Sequence, residues 1–265
     1  MESHFLKRHA LRHYVCAVSC ALAANVSFAD DEESRWALGV GAVASGNPYA
    51  GRGTRYIPLP IVTYDSERFF LRGITGGVHL LDNDLLSIDA IVQGDFDGID
   101  ADEFGRRELA RNGIDRDLLD DRDDSVEAGF TVGLNGRFGE FDLEVVADVL
   151  DKSGGYRASA EYGYPIQLSE RMTLTPSVGV SWISSDRADY YYGTLDTEVA
   201  RGVVAYRPGS ATIPRVGLGL EYNFSGKWMF LGSASYESLP SKLGDSPLLE
   251  SDSSARFMIG VLRAF

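Results

Sequence analysis

Beyond residue 29 the chain holds no uninterrupted apolar run near the roughly 20 residues that a membrane-crossing helix needs. Instead, apolar and polar residues alternate with period two along one segment after another. That periodicity gives a β-strand one apolar and one polar face. In 214–224, Val216, Leu218, Leu220, Tyr222 and Phe224 share one face, and Arg215, Gly217, Gly219, Glu221 and Asn223 the other. Segment 172–183 sets Leu174, Val178, Val180 and Trp182 against Thr173, Thr175, Ser177, Gly179 and Ser181. Segment 156–167 sets Tyr156, Ala158, Ala160, Tyr162, Tyr164 and Ile166 against Arg157, Ser159, Glu161 and Gln167. Similar stretches lie at 36–45, 54–64, 69–80, 85–96, 126–138, 141–150, 227–238 and 255–265, and small polar residues at 82–84, 153–155 and 225–226 suit the turns between them.

Two architectures accept such strands. A soluble sandwich or lipocalin-like barrel turns the apolar face inward, whereas an outer-membrane barrel turns it toward lipid. Aromatic residues near the ends of the apolar faces, such as Trp36, Tyr56, Tyr64, Trp182, Tyr222, Phe224, Trp228 and Tyr236, stand where interfacial girdles form. The expected fold is therefore all-β, an antiparallel transmembrane up-and-down β-barrel. Eleven segments conflict with the even strand number of single-chain bacterial barrels. Either the region 190–206 supplies a twelfth strand, or an early segment leaves the wall and ten remain; twelve is preferred.

The N-terminus adds a compartment. Lys7, Arg8 and Arg12 precede an uncharged run from Tyr14 to Val26 and then Ser27, Phe28 and Ala29, the order of a secretory signal peptide. Residues 1–29 are read as a Sec-dependent signal and 30–265 as the barrel domain. Processing at Cys20 is a rival, but Ala17 stands where a lipobox has Leu. Cys16 and Cys20 both leave with the signal, so the mature chain has no cysteine and no thiolate or disulfide chemistry. Against 39 acids the chain has 25 Lys and Arg; removing residues 1–29 leaves 38 against 22. A polyanion repels phosphate, so nucleic acid is not an expected partner.

Candidate sites are few. His79 is the only mature histidine, expected on the lumen side, and a Ser-His-acid arrangement would need it as base. No nucleophile is tied to it by sequence, so no catalytic residue, metal site or cofactor is assigned. Segment 95–124 carries twelve acids and five arginines. Asp95, Asp97, Asp100, Asp102 and Glu103 offer hard oxygen ligands, yet they fail the EF-hand pattern, and a solvated loop, partly helical over 102–112, is the simpler expectation. Tyr190, Tyr191 and Tyr192, in the long connection 185–212, suit a partner-binding anchor, packing into the barrel mouth or interfacial anchoring; the last two are favoured. Arg137, Glu144, Asp148, Arg157, Glu161, Arg215, Glu221 and Glu237 are expected to pair across the lumen. Phe257, Ile259 and Val261, ending in Phe265, form a terminal row like the signal read by the barrel-assembly machinery, although Arg263 interrupts it.

Particular motifs also carry a resemblance. Tyr56-Ile57-Pro58-Leu59-Pro60-Ile61-Val62, then Phe69-Phe70-Leu71-Arg72-Gly73 and Gly76-Gly77, resemble the MipA/OmpV family of outer-membrane proteins. Leu119-Asp120-Asp121-Arg122 before Glu127-Ala128-Gly129, Tyr190-Tyr191-Tyr192-Gly193 with Ala200-Arg201, Asp245-Ser246-Pro247 and Phe265 follow in the family's order. The resemblance spans about 36–265. It implies a Gram-negative outer-membrane barrel without known catalysis, of a family whose founding member is described as a scaffold joining a membrane-bound lytic transglycosylase to a peptidoglycan synthase. Other members are linked to adhesion and envelope stress. The expected role is thus a scaffold or interaction barrel, in contact with outer-membrane lipid and the assembly machinery. The alternatives are a small channel, an adhesin, or an enzyme of lipid or lipopolysaccharide using His79. If the C-terminus is periplasmic, counting back puts connections 185–212 and 97–123 outside the cell, unless a twelfth strand between them sends the acidic loop to the periplasm.

Overall fold

The structure, a computed structural model, describes residues 35–265. The expected export signal and the first mature residues lie outside the described residues. Thirteen strand segments are antiparallel to their neighbours throughout: β1 Trp36–Ser45, β2 Arg55–Asp65, β3 Phe69–Arg72, β4 Thr75–Asp82, β5 Leu86–Asp95, β6 Ser125–Gly136, β7 Gly139–Asp148, β8 Tyr156–Gly163, β9 Ile166–Ser169, β10 Met172–Ile183, β11 Ala211–Ser225, β12 Trp228–Ser238 and β13 Ser253–Ala264. β8 and β9 are two halves of one interrupted strand, since both pair with β10. Twelve positions therefore make up the wall. It closes on itself through β1–β13 and β10–β11 pairing, although β2 pairs with the short β3 only over Thr63, Tyr64 and Asp65, so that its earlier residues are laddered to β1 alone.

The twelfth strand is not where it was expected. Region 190–206 holds no strand; it contains the end of α2, Ser185–Tyr192, and α3, Asp196–Ala200, joined and followed by irregular chain. The extra strand comes from dividing the run 69–80 into β3 and β4. Gly73 sits between them at φ 61°, a left-handed conformation that glycine adopts without the Cβ penalty, and it turns the chain back after four residues.

The apolar rows face outward. Val216, Val178 and Ile259 are more than half exposed on the outer wall, while Arg157, Glu127 and Asp89 are buried inside. Two aromatic belts ring that surface. Near the termini Trp36 packs on Tyr64 at 4.6 Å and Phe224 on Trp228 at 6.3 Å; at the other end Tyr156 meets Trp182 at 5.3 Å. The lumen is not purely polar: Ile61, Met229, Leu231 and Leu262 form a dry cluster inside it, and Phe70, Ile91 and Val146 another.

The two ends differ. Tight turns at 66–68, 83–85, 137–138 and 226–227 share one end with both described termini, where Phe265 N–H donates to the Trp36 carbonyl at 3.0 Å. Apart from the turn at Gly73, the other end carries the longer connections 46–54, 96–124, 149–155, 184–210 and 239–252. The two long connections expected outside, 97–123 and 185–212, therefore lie at one end, because the extra strand falls before the acidic segment and not between the two connections.

Candidate functional site

Four connections at that end, 46–54, 96–124, 184–210 and 239–252, do not hang free. They bury a common apolar core over the barrel mouth. Tyr49 and Ala50 come from the first; Ile99, Phe104, Leu109, Ile114 and Leu119 from the second; Ala188 and Val203 from the third; Leu239, Leu243, Leu248 and Leu249 from the fourth. Short helices set these side chains: α1 Arg106–Arg111 buries Leu109, and α4 Ser241–Gly244 buries Leu243. Gly51, at φ 74°, lies so close to Gly105 that a Cβ there would stand 2.4 Å from the Gly105 Cα. The backbones of two connections thus touch without side chains between them. The acidic segment is less solvated than its charge suggests, because its apolar residues are buried in the cap while its carboxylates line the rim.

Arg122 holds this cap together. All five of its N–H donors are used. Nη1 and Nη2 bind the two Glu198 carboxylate oxygens at 2.6 and 3.0 Å, Nη1 also donates to the Asp120 carbonyl at 2.7 Å, Nη2 to the Gly193 carbonyl at 3.1 Å, and Nε to the Tyr190 carbonyl at 2.9 Å. Both side chains are fully buried. Glu198 in turn accepts from the Asp120 and Leu195 backbone N–H groups at 2.8 and 2.7 Å. A buried ion pair of this kind tolerates burial only when its remaining donors and acceptors are satisfied, as they are here.

A second network ties the cap to the lumen. Arg187, on α2, points into the barrel and binds Glu127 of β6 at 2.6 Å and Asp95 of β5 at 2.9 Å. Burial works against the Arg187 charge, but Asp95, Glu127 and Asp97 around it hold the guanidinium above its ordinary value. Glu127 also receives Arg157 Nη2 at 2.6 Å and Gln93 Nε2 at 3.0 Å. α2 begins at Ser184, whose hydroxyl accepts from the Arg187 and Tyr156 N–H groups.

The three tyrosines pack in the mouth. Tyr191 is buried under the Arg187 guanidinium, 5.2 Å from its ring centre, and its hydroxyl faces Asp95 at 3.3 Å. Burial pushes its phenol, and that of Tyr192, upward. Tyr192 stacks on Tyr49, while the half-buried Tyr190 hydroxyl accepts from Asp123 N–H at 2.9 Å. Of the expected oxygen ligands, Asp95 and Asp97 bind Arg187 and Glu103 binds Arg52 at 2.7 Å. Among the described residues no group of three or more His, Cys, Asp and Glu is disposed to hold a metal ion.

Charges in the wall pair partly as expected. Arg157 meets Glu144 at 3.3 Å, and Arg215 meets Glu161 at 3.8 Å and Glu237 at 3.5 Å. Arg137 does not join them. It stands exposed in the turn between β6 and β7, beyond the end of the strand. Asp148, at the end of β7, accepts instead from Ser125 and from the Ser153 N–H. The cations missed by strand periodicity, Arg122 and Arg187, come from connections, whose side chains follow no period. His79 is on the lumen side as expected. Its Nδ1 is 2.7 Å from Asp89 and its Nε2 3.4 Å from Asp65, so both ring nitrogens face carboxylates rather than a hydroxyl. In the terminal row, Phe257, Ile259 and Phe265 are exposed on the outer wall and Val261 is half-buried. Arg263 lies over the Trp228 and Phe265 rings, which keeps its charge at the aromatic belt.

A closed antiparallel barrel with outward apolar rows and aromatic belts is a transmembrane barrel of the Gram-negative outer membrane. The chain belongs to the family described as MltA-interacting protein MipA, which matches residues 38–265. The MltA-interacting protein of Escherichia coli (strain K12) is 29% identical over 258 residues, covering 96% of this chain and 99% of that one. The outer membrane protein OmpV of Vibrio cholerae is 25% identical over 235 residues, covering 88% and 87%. Among solved structures, the translocator domain of autotransporter NalP from Neisseria meningitidis shares the fold, with a TM-score of 0.50 at 12% identity over 89% of this chain and 90% of that one.

Proposed function

We propose that this protein is a scaffold barrel of the outer membrane, linking murein-processing enzymes of the lytic transglycosylase and peptidoglycan synthase kinds. The observation that carries this is the filled mouth: a barrel covered by a cap with its own apolar core and a buried ion pair offers surfaces at its ends rather than an open bore. The name of the E. coli relative, MltA-interacting protein, supplies the class of partner. Bacterial barrels keep short turns in the periplasm and longer loops outside. On that rule the cap faces outward, and the turns at 66–68, 83–85, 137–138 and 226–227 with the adjoining termini face murein. The outward row Phe257, Ile259 and Phe265 fits recognition by the barrel-assembly machinery, and Phe265→Ala should lower the amount of folded protein in outer-membrane fractions.

Crosslinking in intact cells, followed by pull-down of the tagged full chain, tests the scaffold. A lytic transglycosylase or peptidoglycan synthase crosslinked to the short-turn end is the expected result. Recovery without any murein enzyme, or with crosslinks confined to the cap, overturns it.

A further inference from the structure

Beneath the cap lies a cavity of about 140 Å³, lined by the tops of β1, β2 and β13, by the connection 46–54 and by α2. Five arginines line it, Arg52, Arg55, Arg157, Arg187 and Arg256, with only Asp97 and Glu237 as acids in the lining. Three of the five are compensated. Arg52 meets Glu103, Arg187 meets Asp95, Asp97 and Glu127, and Arg157 reaches Glu127 and Glu144 through one Nη2. Glu237 is taken by Arg215.

Arg55 and Arg256 have no carboxylate partner among the described residues. They flank Ser45 in register, Arg55 from β2 and Arg256 from β13, so two like charges face the same lumen on either side of one strand. Arg55 is exposed and Arg256 half-buried, so solvent screens part of their repulsion and an anion between them would relieve the rest. Buried guanidinium nitrogens also lack acceptors: Arg256 Nε, and both Nε and Nη1 of Arg157, which is 98% buried at 2% exposure. Orphaned buried donors are rare in a folded protein, and the contrast with Arg122, whose five donors are all used, is sharp. The Ser45 hydroxyl and the Asn47 amide lie in the same lining and add neutral donors.

We propose that this cavity binds a small soluble oxyanion, a carboxylate or phosphate group, between Arg55 and Arg256. A guanidinium fork matches both anions in a two-point contact. The volume resembles the roughly 150 Å³ that accommodates benzene, which sets the ligand at about six non-hydrogen atoms, the size of phosphate or a short-chain carboxylate. The strand wall and the cap separate the site from the bilayer, so the anion comes from solution and not from a lipid headgroup. This site does not depend on the scaffold role, and the loss of either leaves the other standing.

Titration calorimetry on the purified full chain in neutral detergent at low salt, with inorganic phosphate and with lactate as probes, tests it. Saturable binding is expected from at least one probe, weakened roughly tenfold in Arg55→Gln and in Arg256→Gln and further in the double variant. Lys152→Gln, on the exposed rim, should bind like the parent. Heat-modifiable gel mobility shows that each variant is folded; Arg55→Gln, at the start of a strand, keeps the test open should Arg256→Gln misfold. Absence of binding by the parent, or a folded double variant that binds as well as the parent, overturns the proposal. So does binding seen only with vesicles containing phosphatidylglycerol and never with soluble phosphate.

Discussion

In the wall, Val40 is 70% exposed on the outer surface while Glu127 is fully buried. In the cap, a few residues above the same strands, Leu109 is fully buried while Arg106 and Asp117 stand in solvent, 2.7 Å apart. One chain thus follows two solvent rules. The strands place apolar groups outward because hydrocarbon surrounds them, and the cap places them inward because water does. The boundary between the two is made by charge, since Arg187 reaches from α2 into the lumen to Asp95 and Glu127, while inside the cap Arg122 locks connection 96–124 to Glu198 of connection 184–210. The cap is therefore a small soluble core built on a membrane support, and the two parts should fail separately.

Four variants test that division. Glu198→Ala leaves Arg122 buried and unpaired, and should weaken the cap by about 3–5 kcal/mol. Protease cleavage within 96–124 and 184–210 should rise steeply while heat-modifiable mobility of the barrel persists; joint loss of both would erase the distinction between the parts. Leu218→Arg puts a charge on the lipid face near the middle of β11, and should cost about 2–4 kcal/mol in refolding from denaturant into bilayers, with the cap unaffected once the barrel has formed.

Ser184→Ala removes the hydroxyl that caps α2, a loss of about 0.5–2 kcal/mol, seen as faster amide exchange in 185–192 without change in the wall. The smallest effect belongs to Asp120. The Thr197 hydroxyl donates to its carboxylate and Arg201 lies 2.7 Å away, so its pKa falls below the ordinary 3.8. A depressed carboxyl contributes stability above its unfolded pKa and loses it as pH falls through the folded value. Protease sensitivity of the cap should accordingly rise only below about pH 3.8, and Asp120→Asn should flatten that dependence.

The wall was legible because strand periodicity reports which solvent each face meets. The rows Val216 to Phe224 and Phe257 to Ile259 could be read directly, and so could the two-sided character of 156–167. The split at Gly73 was hidden, since a tight turn after four residues keeps the alternation in phase and imitates one longer strand. The cap was hidden for a different reason. Arg122 and Glu198 are 76 residues apart, and no local pattern connects them. Yet several motifs that signalled the family converge there. Arg122 and Asp120 belong to one, Tyr190 and Gly193 to another, Arg201 pairs with Asp120, and Ser246 donates to the Tyr192 carbonyl at 2.6 Å. Clustered polar and aromatic residues without period marked the region; only the fold shows what they join.

The central claim, that apolar rows meet lipid while their alternating neighbours face the lumen, can be measured with two probes on adjacent strands. Residues 30–265 contain no cysteine, so Leu218→Cys and Ser177→Cys each carry one label, attached in denaturant before refolding into bilayers of brominated lipid. The fluorophore at 218 should be strongly quenched by the lipid bromines and that at 177 should not. Quenching at 177 with none at 218 would contradict the account.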